Sequence, residues 1–268
     1  MPFSFMNSDG QNRNGPYGIC CCNVAQNEAF IVMGVTAILT GILWRSVVVA
    51  PLKLVAVFLH EFSHASACWM TCGKVTGIEV NENYGGLTRT VGGSRWITLS
   101  AGYTGSVVWG AFFILMTWEK LPTRIASVVF MISCVATILV LKIQQQRLCG
   151  MRCALGMSLR FFILVLGAIP AALWVLEEKV DTKGYHPLRY CMLMVGTVCT
   201  LHALYDCIHD VFLKKINNSE QGKSDAVMFA EEICGTARCW GLLWSMIALL
   251  VTGLALYGVV VLTGKCIS

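Results

Sequence analysis

The sequence predicts an all-α polytopic membrane protein of about six to seven transmembrane helices with a small β-hairpin insertion. Three observations carry this expectation. Hydrophobic residues make up 56% of the 268 and charged residues only 13%, about half the charge that keeps a soluble domain solvated. Mean hydropathy is +0.66. Several apolar stretches also approach the roughly 20 residues that a helix needs to cross a bilayer core of about 30 Å. In such a chain the net charge of +5 reads as membrane topology, and no nucleic-acid partner is expected.

Residues 1–28 are rich in Asn, Gly and Ser and lack an apolar core behind a basic start. They predict a polar, disordered arm without a secretory signal peptide, so the first span is the expected insertion signal. Residues 29–268 are expected to form a single transmembrane domain. Its candidate spans are Phe30–Val48, Leu52–Met70, Trp96–Trp118, Ile125–Leu141, Leu159–Leu176, Leu188–Leu213 and Trp240–Thr263. Between the second and third, Val75–Val80 and Leu87–Val91 partly alternate and flank the turn-rich Asn81–Gly86, which predicts a hairpin. The connection from Lys142 to Arg160 carries four basic residues and no acid, which places it in the cytosol. Asn217-Asn218-Ser219 matches a glycosylation sequon but falls on that same side, where it stays unmodified.

The fourteen cysteines scatter without a disulfide-framework or zinc-ribbon spacing, so most read as small buried apolar residues. Cys20-Cys21-Cys22 precede the first span as juxtamembrane acceptors for palmitoylation or as free thiols. Cys68 with Cys72, and Cys149 with Cys153, are spaced to bind metal or pair, though the apolar reading is preferred for them as well. In the third span Gly102, Ser106 and Gly110 repeat every four residues, a small-residue face that lets another helix approach. Pro170 predicts a kink in the fifth span.

The second span carries the chemistry. His60-Glu61-Phe62-Ser63-His64 is an H-E-x-x-H pattern set where imidazoles and a carboxylate are costly unless they have a function. On a helix His60 and His64 project from one face, so both ring nitrogens reach one Zn²⁺ ion. Glu61 stands beside that ion without ligating it. It is the expected catalytic residue, taking a proton from a water whose pKa zinc lowers toward 7 and passing it to the leaving amine.

A catalytic zinc needs a third protein ligand. A second polar cluster, His202 to Asp210, closes the sixth span and aligns His202, Asp206 and Asp210 on one helix face. At 1.5 Å rise per residue, Asp206 falls at a depth comparable to His64. Asp206 is therefore the expected third ligand, with Asp210 and then His202 as alternatives. These residues could instead line a polar cavity or pair with Lys214 and Lys215.

With these motifs the chain resembles the site-2 protease family of intramembrane zinc metallopeptidases, in particular a compact branch without PDZ domains. The resemblance runs from Phe58 through Trp118, over His60-Glu61-Phe62-Ser63-His64-Ala65, Gly85-Gly86, Ala101-Gly102-Tyr103-Thr104-Gly105-Ser106 and Trp109-Gly110. Weaker segments are Tyr205-Asp206, Ser224-Asp225-Ala226 and Trp240-Gly241-Leu242-Leu243-Trp244. It implies His60, His64 and Asp206 as ligands of one zinc ion per chain and Glu61 as acid and base. One departure is that Tyr205-Asp206-Cys207 stands where better-known members carry Leu-Asp-Gly.

The function expected is hydrolysis of peptide bonds in or near the transmembrane segments of membrane-protein substrates. The enzyme would be an integral multi-pass protein of an endomembrane or the plasma membrane, with the lipid bilayer as its other partner. Two other classes stay open: a catalytically inactive relative acting as a membrane-protein chaperone or scaffold, and a metal-ion transporter.

Overall fold

The structure is a computed structural model and describes residues 24–80, 85–147, 153–180, 185–208 and 224–264. The polar arm before residue 24, Cys20-Cys21-Cys22, Cys149, His209, Asp210, Lys214, Lys215 and the sequon at Asn217 lie outside the described residues. Helices α1 Val24–Ile42 and α2 Ala50–Met70 precede a hairpin of β1 Lys74–Val80 and β2 Gly86–Val91. There follow α3 Arg95–Leu115, a 3₁₀ turn at Met116–Trp118, α4 Lys120–Arg147, α5 Cys153–Lys179, α6 Pro187–Ile208, the short α7 Asp225–Ile233 and α8 Ala237–Gly264.

Five described helices are long and apolar enough to cross a membrane, at Arg95–Trp118, Lys120–Val140, Arg160–Lys179, Pro187–Ile208 and Ala237–Thr263. The other two expected spans are also helices, but of a different kind. In α1 the apolar part is shorter, Gln26–Ile42. In α2 the apolar run is interrupted by Lys53, His60, Glu61 and His64, and the helix is enclosed by protein, with Leu54, Val55, Ala65 and Cys68 fully buried. A helix shielded from lipid on most sides can carry polar groups that a lipid-facing helix cannot. Pro170 lies within α5, which continues past it to Lys179.

α2 begins with a proline in its first turn, where the missing N–H removes no helical hydrogen bond. It ends where Cys72 takes the left-handed conformation, φ 61°, and the Gly73 N–H donates to the Cys68 carbonyl at 2.8 Å, a Schellman-type stop. Cys68 is therefore on the helix and Cys72 beyond it; both are free thiols, as are Cys134, Cys191, Cys199, Cys207, Cys234 and Cys239.

The stop turns the chain back on itself. β1 and β2 pair antiparallel from Lys74↔Val91 to Val80↔Gly86, with an irregularity between Val75 and Gly77. The hairpin does not project into solvent. Val80, 1% exposed, belongs to the same apolar core as Leu54, Val55, Phe113 and Phe130. A seven-residue strand covers roughly 23 Å, about the length of four helical turns, so the hairpin runs back beside α2.

The small residues of α3 set how closely its neighbours approach. A Cβ on Gly110 would stand 2.4 Å from the Thr200 side chain and 3.0 Å from the Gly196 carbonyl, so α3 and α6 meet nearly backbone to backbone there. Ala203 packs with Val107, and Cys207 with Tyr103 and Leu99. α6 is thus antiparallel to α3. Because His60 meets Ser106 while His64 meets Thr98, α2 is antiparallel to α3 as well, and α2 and α6 run in the same direction.

Candidate metal centre

Residues His60 and His64 stand one turn apart on α2, 9% and 6% exposed, with Glu61 5% exposed between them. Their Nε2 atoms are 3.1 Å apart. A third ligand atom completes a triangle: Oδ2 of Asp225 lies 3.0 Å from each Nε2. Among the described residues these three form the one group of His, Cys, Asp or Glu side chains close enough to share an ion.

The hydrogen bonds behind the imidazoles fix what faces inward. His64 Nδ1 lies 2.6 Å from the Thr98 carbonyl, which can only accept, so Nδ1 carries the proton. His60 Nδ1 lies 3.1 Å from Ser106 Oγ. That hydroxyl already donates to the Gly102 carbonyl at 2.9 Å, so His60 Nδ1 donates to it. In the neutral imidazoles both Nε2 atoms are therefore lone-pair acceptors. Three acceptors then converge, and either a proton on one imidazole or a metal ion at their centre would satisfy them.

A tetrahedral zinc site with bonds of about 2.0–2.1 Å sets its ligand atoms about 3.3 Å apart. The observed triangle is close to this, so the donor set fits a zinc ion and leaves a fourth direction open. Gly102 backs the same space. A Cβ there would stand 2.4 Å from His64 Nε2 and 2.5 Å from His60 Nε2, so any side chain at 102 would fill the position an ion needs.

Asp225 arrives from α7, which follows Ser224 with extended backbone at the helix start. Ala226 and Phe229 are buried against Leu99, Tyr103, Cys207 and Trp244. The rings form a continuous chain of edge-on and tilted contacts: Phe229 to Trp244 at 5.1 Å, Trp244 to Tyr103 at 5.0 Å, and Tyr103 to His60 at 5.5 Å. Burial alone would raise the Asp225 carboxyl, but imidazoles at His64 and His60, when protonated, hold it well below the usual carboxylate range by their charge and hydrogen bonds.

This group differs from the expected ligand set in its third member. His60 and His64 are where the sequence put them, but Asp206 is not in the group. Its Oδ2 lies 3.1 Å from His202 Nδ1, in a second polar cluster where Trp44 meets Tyr205 in a tilted contact at 4.4 Å and Lys53 donates to the Trp44 carbonyl at 2.7 Å. Asp206 does reach the expected level, because its neighbour Cys207 packs against Tyr103. The rotation of α6 turns Cys207 to the site and Asp206 away. His202 belongs to the same second cluster, and the alternative at Asp210 lies outside the described residues.

Glu61 meets the hairpin. Thr88 Oγ1 donates to Glu61 Oε2 at 2.7 Å and lies 2.9 Å from the Glu61 carbonyl. A Cβ on Gly86 would overlap the Glu61 carboxylate, 2.2 Å from Oε1, so β2 passes directly over this side chain.

Residues 31–255 match a family model described as peptidase M50B-like. The chain belongs to this family, the site-2 protease family. The match extends from α1 to α8 and contains all three converging residues together with Glu61. No curated protein and no solved structure matches the chain. Membership in the M50 family, whose members are zinc metallopeptidases, makes the chain a metallopeptidase, and its five long apolar helices make it an integral membrane protein.

The signal that could have singled out Asp225 is modest. Ser224-Asp225 is a helix-start pattern followed by the apolar Ala226, Val227, Met228 and Phe229. It falls outside every apolar span, so depth along a membrane helix gives no reason to choose it.

Proposed function

We propose that the chain is an intramembrane zinc metalloprotease in which His60, His64 and Asp225 hold one zinc ion and Glu61 is the catalytic acid and base. The observation that carries this reading is the convergence of two imidazole nitrogens and a carboxylate oxygen beside a buried glutamate. When bound, zinc would act as a Lewis acid that polarises the scissile carbonyl and makes water a nucleophile at neutral pH.

The chain's own residues supply the rest. Glu61 removes a proton from the attacking water as the water oxygen bonds to the carbonyl carbon, and it delivers that proton to the amide nitrogen as the C–N bond breaks. The products are a carboxylate and an amine. The Ser106 hydroxyl and the Thr98 carbonyl keep each imidazole in the tautomer that directs Nε2 inward.

The substrates are transmembrane segments of membrane proteins in an endomembrane or the plasma membrane. A peptide bond in a helix is shielded by its own hydrogen bonds and must be extended before water can attack. β2 borders Glu61, and its residues Leu87, Arg89 and Val91 are exposed, which suits the strand to pair with an unwound segment by main-chain hydrogen bonds.

The test is bound zinc and cleavage of a membrane-protein substrate, measured on detergent-purified parent, Glu61→Gln, His60→Ala and Asp225→Asn. Glu61→Gln should keep zinc and lose cleavage, while the other two should lose both. Cleavage that survives Glu61→Gln would overturn the reading, as would a zinc-free parent. Scaffolding or transport that persists in that variant would favour the non-enzymatic alternatives.

A further inference from the structure

We infer that Thr88, on the hairpin, is a positioning residue that sets the orientation of the Glu61 carboxylate; the inference rests on the proposed role of Glu61 as acid and base. Thr88 Oγ1 donates to Glu61 Oε2 at 2.7 Å. At this length the hydrogen bond ties one oxygen of the Glu61 side chain to a fixed point on the strand. Among the described residues no other hydrogen bond reaches the Glu61 carboxylate.

The strand's pleat makes the contact specific. Residues two apart on a strand share a face, so Gly86 and Thr88 both look onto Glu61. At Gly86 the absent side chain leaves room for Oε1, against which a Cβ would stand at 2.2 Å. At Thr88 a hydroxyl holds Oε2. The same strand thus accommodates one carboxylate oxygen and anchors the other. The glutamate is carried by α2, but its rotamer is decided by β2, so displacement of the hairpin would release the acid and base without touching the three residues that converge on the metal position.

Positioning by Thr88 separates from metal binding and from substrate capture. In the full-length protein, Thr88→Val keeps the shape of threonine and removes the donor, whereas Thr88→Ser keeps the donor. Thr88→Val should lower kcat by about 10- to 100-fold, the scale at which a misplacement of about 1 Å slows a reaction. KM should stay within about twofold and zinc content should equal the parent's. Thr88→Ser should recover most of kcat.

Parental kcat in Thr88→Val would overturn the inference. So would a Thr88→Ser variant no more active than Thr88→Val, or a loss of activity matched by loss of zinc, since each would give Thr88 no role or a purely structural one. Glu61→Gln, assayed alongside, keeps this result distinct from failure of the proposed function. If Glu61→Gln cleaves like the parent, the acid and base assignment itself is wrong; if it is inactive and Thr88→Val is not, only the role of Thr88 fails.

Discussion

Asp206 and His202 lie one turn apart on α6 with Oδ2 and Nδ1 separated by 3.1 Å, and Asp206 stands outside the group formed with the histidines of α2. The aspartate that meets those histidines comes from α7. Asp206→Asn should therefore retain one zinc per purified chain and cleave at a rate near the parent's, whereas Asp225→Asn should bind almost none. Metal analysis of the two variants side by side checks the assignment, and equal loss from both would contradict it.

Gly102 provides a test by volume instead of by ligand. A methyl group there would stand 2.4 and 2.5 Å from the two Nε2 atoms, inside any van der Waals distance. Gly102→Ala should expel zinc and abolish cleavage while the helical circular dichroism stays that of the parent. A fully loaded alanine variant would mean that the ion sits elsewhere.

Ser106 orients His60, one of the proposed zinc ligands. Without its hydroxyl the Nδ1–H of His60 loses its acceptor, and the ring is no longer held in one tautomer. Loss of such an outer partner costs about 10- to 100-fold in metal affinity. Ser106→Ala should show that drop in competition with a zinc chelator, and Ser106→Thr, which keeps the hydroxyl, should bind more tightly than alanine.

The docking of α7 predicts an effect without change of any ligand. Phe229 is 5% exposed and packs on Trp240 and Trp244 at 4.7 and 5.1 Å. Truncating a buried phenylalanine costs about 3–5 kcal/mol, enough to loosen a nine-residue helix. Phe229→Ala should weaken zinc binding although His60, His64 and Asp225 are intact, with limited proteolysis revealing earlier cleavage near α7 than in the parent.

Much of this molecule is legible in its sequence because the signals are local. The apolar runs mark α3, α4, α5, α6 and α8 within a few residues of their ends apart from the extensions of α4 and α5, and the alternation about Asn81–Gly86 marks the hairpin. The His60–His64 spacing puts two imidazoles on one face whatever surrounds them. The small-residue face of α3 is legible in the same way, although the sequence does not say that Gly102 borders the two imidazoles while Gly110 borders α6. Lys53, His60, Glu61 and His64 in α2 set it apart from the lipid-facing helices, and its enclosure by the bundle explains their tolerance.

By itself the sequence determined a membrane-embedded helical protein, the H-E-x-x-H pair of imidazoles and its adjacent glutamate, and even the depth of the Tyr205-Asp206 step, since rise per residue is a property of any helix. Only tertiary structure decided which aspartate completes the triangle. The rotation of α6 about its own axis is set by close packing at Gly110, Gly196 and Thr200, and α7 is seated by aromatic contacts made between residues distant in the chain. Neither follows from periodicity, because a helix pattern fixes which residues share a face but not which neighbour that face will meet.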